Sequence, residues 1–303
     1  MHAFLLAAAV LTFIATGAAG AADAPKHRSF PTPDAAAEAL GAAYRSANRA
    51  EMAAVLGDKA MRIVNSGDKI IDRHERAWFL DLFGQGHSIE PESDSRANLL
   101  IGEDELPYPI PLVASDGRWR FDSRDGVEDL LSRRIGKTER IALDFLLQVV
   151  QGQRAHFAVA REPGGVHEYA GRFVGDPARR DGLVWIDADG KPHGPLAALG
   201  AAAFSEGYRP EDRLYHGYRF HPVPSQGPNA PGGARGFVVD GRQTGGYGII
   251  ACPARYAVSG VLSYMVNQDG LVYHRDLGPK TAKLCAAIKS FDPDKRWTKG
   301  VAG

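Results

Sequence analysis

The stretch CPARYAVSGVLSYMVNQDGLVYHRDLG, residues 252–278, decides the architecture. From Val261 to Val266 successive residues point to alternate faces of an expected strand. Leu262, Tyr264 and Val266 fall on one side, and Val261, Ser263 and Met265 on the other. Asp269-Gly270 then supplies a tight turn, because Asp and Gly tolerate positive φ. Leu271, Tyr273 and Arg275 return along a partner strand. The cluster Asn-Gln-Asp-Gly therefore reads as a hairpin turn and not as a reactive site. Asp276 to Pro279 leads into a last helix, PKTAKLCAAIKSFD, with Thr281, Leu284, Cys285, Ile288 and Phe291 on one face.

Upstream, HGYRFHPV, ARGFVVDGR and GYGIIACPA add further strands, so an antiparallel sheet is expected from Tyr215 onward. Before it, GKTERIALDFLLQVVQGQRAHFAVA (136–160) gives the longest helical pattern. Ile141, Phe145, Val149 and Gly152 lie on one face, with Leu146 and Val150 beside it and Thr138 as a cap. Pro163-Gly164-Gly165, Asp176-Pro177 and Asp189-Gly190 mark turns, and LAALGAAAFSEGY a short helix. Residues 30–135 read as helices followed by strands. TPDAAAEALGAAYRSANRAEMAAVLG begins with Thr32 or Asp34 as a cap and Pro33 in the first turn, and Gly57 ends a second helix. DRHERAWFLDLFG predicts a third helix with Trp78, Phe79, Leu82 and Phe83 inward. RANLLIGED, YPIPLVASDG and RWRFDS predict strands, with Asp116-Gly117 as a hairpin turn.

The order of elements in 30–135 resembles the cone-shaped domains of the nuclear-transport-factor-2-like class, in which helices cover a curved antiparallel sheet and enclose a pocket. One long helix before an antiparallel sheet, with GYRF and VNQDGLVY as strands, resembles the globular head of type IV pilins; here the helix starts mid-chain and is amphipathic. Across nearly its whole length the chain is similar to an uncharacterised family of exported bacterial proteins, domain of unknown function 2950. The segments that carry this are TPDAAAEAL, GEDELPYPIPLV, GRWRFD, RRIGKTE, GYRF, QGPNAPGG and PARYAVSGVLSYMVNQDGLVYHRDLG. That resemblance implies membership and no activity.

The chain opens with an apolar run from Ala3 to Ile14, followed by small residues and Ala-Gly-Ala at 19–21. This is the layout of a secretory signal peptide over residues 1–22, although its first residues carry no Lys or Arg. The run is short of the ~20 residues that span a bilayer. The expectation is export to a periplasm or outside the cell, with no membrane span after cleavage. About 280 remaining residues suggest two domains, placed at 30–135 and 136–300. Lys plus Arg and Asp plus Glu number 36 each. That neutrality argues against nucleic-acid binding, which needs a basic surface.

No Gly-x-Ser-x-Gly elbow surrounds any serine. Ser66-Gly67-Asp68-Lys69 matches a Ser-x-x-Lys spacing, but Gly and Asp between the two make it a turn. His216 and His221, five apart in an expected strand, point to opposite faces and cannot share a metal. The glycines of GGARGFVVDGRQTGGYG match no phosphate-binding loop, and Asp187-Ala188-Asp189-Gly190 no calcium loop. No metal and no cofactor is expected. Glu103, Asp104 and Asp122, with Trp119 beside them, are the ligand-binding candidates. Converging at the mouth of a cone-shaped domain, one carboxyl could act as acid or base; otherwise they form a solvated loop. Cys252 and Cys285, the two cysteines, leave three readings: a disulfide, two buried thiols, or a nucleophile with His274. Export favours the disulfide, worth ~3–4 kcal/mol in the chain-entropy model.

The reading is an α+β protein that binds or assembles with an envelope protein or a small ligand, without catalysis. A periplasmic hydrolase using carboxylates near Glu103 and a small-ligand carrier using the N-terminal pocket are the alternatives.

Overall fold

The computed structural model describes residues 27–124, 126–159 and 165–302. The leader over 1–22 and most of the Pro163-Gly164-Gly165 turn lie outside them. The N-terminal region opens with α1 (Pro33–Ser46), α2 (Arg49–Leu56), α3 (Met61–Val64) and α4 (Lys69–Gln85). The caps follow the sequence. Thr32 accepts from the Ala35 amide and Asn48 from those of Ala50 and Glu51, satisfying amides that have no partner inside the helix. A sheet of antiparallel pairs follows: β1 (His87–Ser93), β2 (Arg96–Ile101), β3 (Leu106–Pro107), β4 (Leu112–Ser115) and β5 (Arg118–Phe121). Its order is β1-β2-β4-β5, with β3 paired to β2. Asp116 and Gly117, both at positive φ (54° and 68°), close the β4–β5 hairpin.

The N-terminal interior is filled by rings. Tyr44 stacks on Phe79 at 3.8 Å, Phe79 lies 5.5 Å from Phe83 and from Tyr108, and Tyr108 meets Phe121 edge-on. The Tyr44 and Tyr108 hydroxyls share a hydrogen bond of 3.3 Å, and burial raises the Tyr44 pKa to about 12. Phe79 and Phe83 are buried as expected. Trp78 is not; it is 59% exposed on the outer side of α4, because residues adjacent on a helix point about 100° apart.

The chain then runs through α5 (Val127–Ala158), 32 residues long, β6 (Arg172–Val174), β7 (Gly182–Ile186), β8 (Pro192–His193) and α6 (Ala197–Glu206). β9 (Leu214–Tyr215), β10 (Tyr218–Val223), β11 (Ser225–Gln226), β12 (Arg235–Gly236) and β13 (Gly248–Pro253) follow. Last come β14 (Leu262–Asn267), β15 (Leu271–Asp276), α7 (Thr281–Ala287) and β16 (Thr298–Ala302). The protein is thus a mixed α+β structure. Its main C-terminal sheet is antiparallel throughout, in the order β16-β15-β14-β13-β10-β9.

The helix α5 begins well before residue 136, and Thr138 does not cap it. The Thr138 hydroxyl sits inside the helix and donates to the carbonyl of Ser259 at 2.7 Å. One helix enters three cores. Val127 and Leu131 join the N-terminal interior; Ala142, Leu146 and Val150 cover the sheet. Phe145 and Val149 pack against Leu183, Val184 and Leu196. Gly152 lets Leu196 approach: a Cβ there would lie 2.7 Å from Leu196 Cγ.

The opposite face of the sheet is covered by α7 and its flanking loops. The ladder confirms the two-sided alternation. Tyr264 and Val266 face α5, whereas Met265 faces Cys285 and Phe291. The β14–β15 connection is a three-residue loop in which only Gly270 has positive φ (78°), so Asp269 needs no left-handed conformation. Two other expectations change. ARGFVVDGR is mostly loop: Asp240-Gly241 folds Val239 back onto Arg242, leaving Val238 and Val239 exposed and only Phe237 buried. The last helix ends at Ala287, and Leu284 is 43% exposed while Thr281 and Cys285 face inward.

Candidate functional site

The residues singled out in the N-terminal region do not converge. Glu103 and Asp104 are exposed in the turn between β2 and β3. Asp122 follows β5, where the register Ala97–Leu112–Phe121 puts it level with Asn98. That is about five residues, ~16 Å of strand, from Glu103. Burial alone would raise the pKa of Asp122. Hydrogen bonds from the Arg124 side chain and backbone, with the charges of Arg124 and Arg120, outweigh it and hold the carboxyl below its usual range. Trp119 packs on the N-terminal core and pairs by its backbone with Phe30.

Charged and polar groups gather instead where the helical region meets the C-terminal sheet. Asp68, fully buried, caps α4 by accepting from the amides of Ile70 and Ile71. Its other oxygen accepts from Tyr208 Oη at 3.0 Å and the Gly217 amide at 2.8 Å. Ser66 makes a turn with the Asp68 backbone, and Lys69 is exposed as the first residue of α4, so the Ser-x-x-Lys spacing builds a helix start. Arginines bridge the same boundary. Arg62 donates to the Ala257 carbonyl at 2.9 Å and pairs with Glu128 at 2.6 Å. Arg255 donates to the Asn65 carbonyl at 2.6 Å. Arg134 donates to the carbonyl of Ile63 and to Glu75, both at 2.6 Å.

Burial raises the pKa of Asp72 and of Glu75, against the pull of bonds from Ser66 and of Arg134 respectively. Burial, then the neighbouring Asp68 carboxylate, pushes the Tyr208 hydroxyl far up. His216 lies in the turn before β10, with φ 43°, and not in a strand; only His221 is in β10. His216 meets Glu206 at 2.9 Å, and burial lowers its pKa despite that carboxylate. Asp68, Asp72, Glu75 and Glu128 are each engaged by a donor of the other region or of the α4 start, so the chemistry of the junction is that of a clamp. The sequence signal that could have found it is Ser66-Gly67-Asp68 immediately before a helical pattern.

The second cluster lies beside α7. Cys252 of β13 is bonded to Cys285 of α7, with Cα atoms 6.5 Å apart. Next to this bond is a cleft of about 340 Å³. Met265, Leu277, Ile288 and Trp297 form its apolar floor, and Leu284 stands at its edge. Its charges are Arg275, Lys289, Arg296, Asp292 and Asp294. Asp294 is bonded by the guanidinium and backbone of Arg296, which hold its pKa down to about 2. Asp292 accepts from the Asn229 amide at 2.8 Å and from Asn229 Nδ2 at 3.0 Å. Asn229 belongs to the QGPNAPGG loop, which Gln226 shapes by donating to the carbonyls of Pro231 and Gly233. Asn267, in the hairpin, donates in turn to Gln226. The Asn-Gln-Asp-Gly cluster is thus a turn that also anchors the loop flanking the cleft, a long-range role that local turn chemistry does not disclose.

Among the described residues no group of three His, Cys, Asp or Glu is placed to hold a metal ion, and no helix is long and apolar enough to cross a membrane. The family described as "Protein of unknown function (DUF2950)" matches residues 27–300. No curated protein and no solved structure matches the chain.

Proposed function

The chain belongs to the DUF2950 family of proteins of unknown function, and we propose that it is an exported factor that acts by binding and not by catalysis, in the periplasm or outside the cell. In this reading residues 1–22 are a cleaved leader. Residues 30–135 are a lobe of the nuclear-transport-factor-2-like kind, and residues 136–300 a lobe like a pilin head, joined by the shared helix α5. The bond between Cys252 and Cys285 supports an oxidising compartment, since such bonds persist there and are rare in the cytosol.

The observation that carries binding over catalysis is the cleft beside α7. It has an apolar floor and a charged rim, as ligand sites do. Both of its carboxylates are engaged within the protein, Asp294 by Arg296 and Asp292 by Asn229. The filled N-terminal interior moves the ligand question from that region to this cleft. The test is a screen of the leaderless, oxidised protein against peptide, glycoside and ester substrates of the cell envelope, with E103Q and D104N alongside. Binding predicts no turnover that these variants abolish. Turnover lost in E103Q overturns it in favour of a hydrolase. Export is tested by fusing residues 1–40 to a reporter active only outside the cytoplasm; an inactive fusion rejects it.

A further inference from the structure

We propose that the cleft beside α7 binds a small apolar anion: an alkyl or aryl chain ending in one carboxylate. This rests on the binding reading and names the ligand class for it. A volume of about 340 Å³ suits a compact ligand. The floor of Met265, Leu277, Ile288 and Trp297 offers apolar contact, and Leu284, 43% exposed at the edge, extends it outward.

The charges decide the sign of the ligand. Three cations, Arg275, Lys289 and Arg296, line the cleft against two carboxylates, Asp292 and Asp294. Both carboxylates are engaged: Asp294 by Arg296 and Asp292 by Asn229. Lys289 donates one bond, to the Ala286 carbonyl at 2.7 Å, which leaves two of its three donors. The Arg275 side chain makes no hydrogen bond or ion pair among the described residues, although its charge acts on Asp294, and the residue lies directly across the ladder from Ser263, a fully buried hydroxyl that also lacks a partner among them. One positive charge is therefore left over, on a planar fork and an ammonium that both suit a carboxylate. A cation would be repelled by Arg275 and Lys289, and a non-ionic chain would leave them unanswered.

The position explains how the cleft is kept open. The bond from Cys252 fixes α7 on the sheet, and the Asn229–Asp292 contact fixes the loop on the other side, so the floor lies between two tethered walls.

The test uses the leaderless protein with its disulfide intact. Octanoate and octylammonium are titrated by calorimetry, with tryptophan fluorescence as a second readout because Trp297 forms part of the floor. The expected result is one saturable site for octanoate and none for octylammonium. Replacing a charge-assisted partner weakens binding by about tenfold or more, so K289Q and R275Q should each do so. Lys289 is exposed, so K289Q keeps the test sound even where R275Q fails to fold. The proposal is overturned by no saturable octanoate binding, by equal affinity for the two amphiphiles, or by unchanged octanoate affinity in K289Q. Those outcomes reject the ligand class alone; the binding reading itself fails only in the hydrolase screen.

Discussion

The two faces of the C-terminal sheet are covered by helices of very different kinds. On one face, α5 lays Ala142, Leu146 and Val150 over Tyr218, Ala251, Tyr264 and Val266. This helix has 32 residues, and its N-terminal end and a second stripe along its middle are fixed in other cores as well. On the other face, α7 has seven residues, about two turns. A helix that short does not hold itself together in water. It is tied down by Cys285, by burial of Thr281 and by the loop that brings Phe291 under the sheet. The first face is largely apolar, with polar groups at its edge: His274 across from Tyr264, and Glu139 accepting from the Val261 and Leu262 amides. The second carries the disulfide, the partnerless Ser263, His221 and the cleft. Burial spread along a long helix needs no staple. A short helix with a staple leaves surface uncovered, and uncovered surface is where a ligand can sit.

The largest effect should come from the α5 face. Leu146 is fully buried between α5 and the sheet. Leu146→Ala should cost ~2–5 kcal/mol, as large-to-small changes in packed cores do, seen as a lower midpoint in urea unfolding. Because α5 enters the N-terminal interior too, amide protection should fall in α1 and α4 as well as in the sheet. Loss confined to the sheet would show that α5 does not couple the two regions.

The stapled face should respond more locally. The double variant C252A/C285A opens a loop of 33 residues in sequence. It should lose ~2–4 kcal/mol. Hydrogen exchange should quicken in α7 and in residues 288–297 while protection in α1 and α4 stays as it was. An equal loss everywhere would break the comparison, because α7 would then be as integral as α5.

What the sequence disclosed follows the same division. The sheet was readable because β13, β14 and β15 are short, largely apolar runs between clear turn signals, and α5 because its apolar stripe recurs at helical spacing. The start of α5 was missed although Val127, Leu131 and Ile135 recur at helical spacing, because Gly136 within a charge-rich stretch reads as a break. β1 escaped notice because its residues are largely exposed and Pro91 interrupts the pattern of a paired strand. Val238 and Val239 suggested a strand by composition, but the Asp240-Gly241 turn that follows leaves them in solvent. The clamp at Asp68 depends on Tyr208 and Gly217, about 140 and 149 positions away, and no local pattern encodes such a pairing. The cleft is hidden for the same reason: its floor comes from β14, from the end of β15 and from the segment after α7.

The smallest effect concerns pH. His221, on β10 beside the α7 end, has its pKa lowered below the usual 6.5, first by burial and then by the charges of Lys289 and Arg213, against a hydrogen bond with the Ile288 backbone. A histidine lowered on folding binds fewer protons in the folded than in the unfolded protein between its folded value and 6.5. Its contribution is therefore complete above pH 6.5 and is lost as pH falls through the folded value. His27 and His216 are lowered in the same direction, so stability of the wild type should decline below 6.5 with several histidines contributing. His221→Gln should reduce that decline without removing it. The part removed should belong to α7, since His221 lies beside the α7 end, whereas His274, across the ladder from Tyr264 on the α5 face, is unchanged in this variant. Exchange measured at pH 7.5 and at pH 5.5 separates the two faces: α7 amides should lose protection at the lower pH in wild type and less so in H221Q. Equal acid sensitivity in α5 would mean that the long helix is not sealed from the solvent proton, and the distinction between the faces would fall.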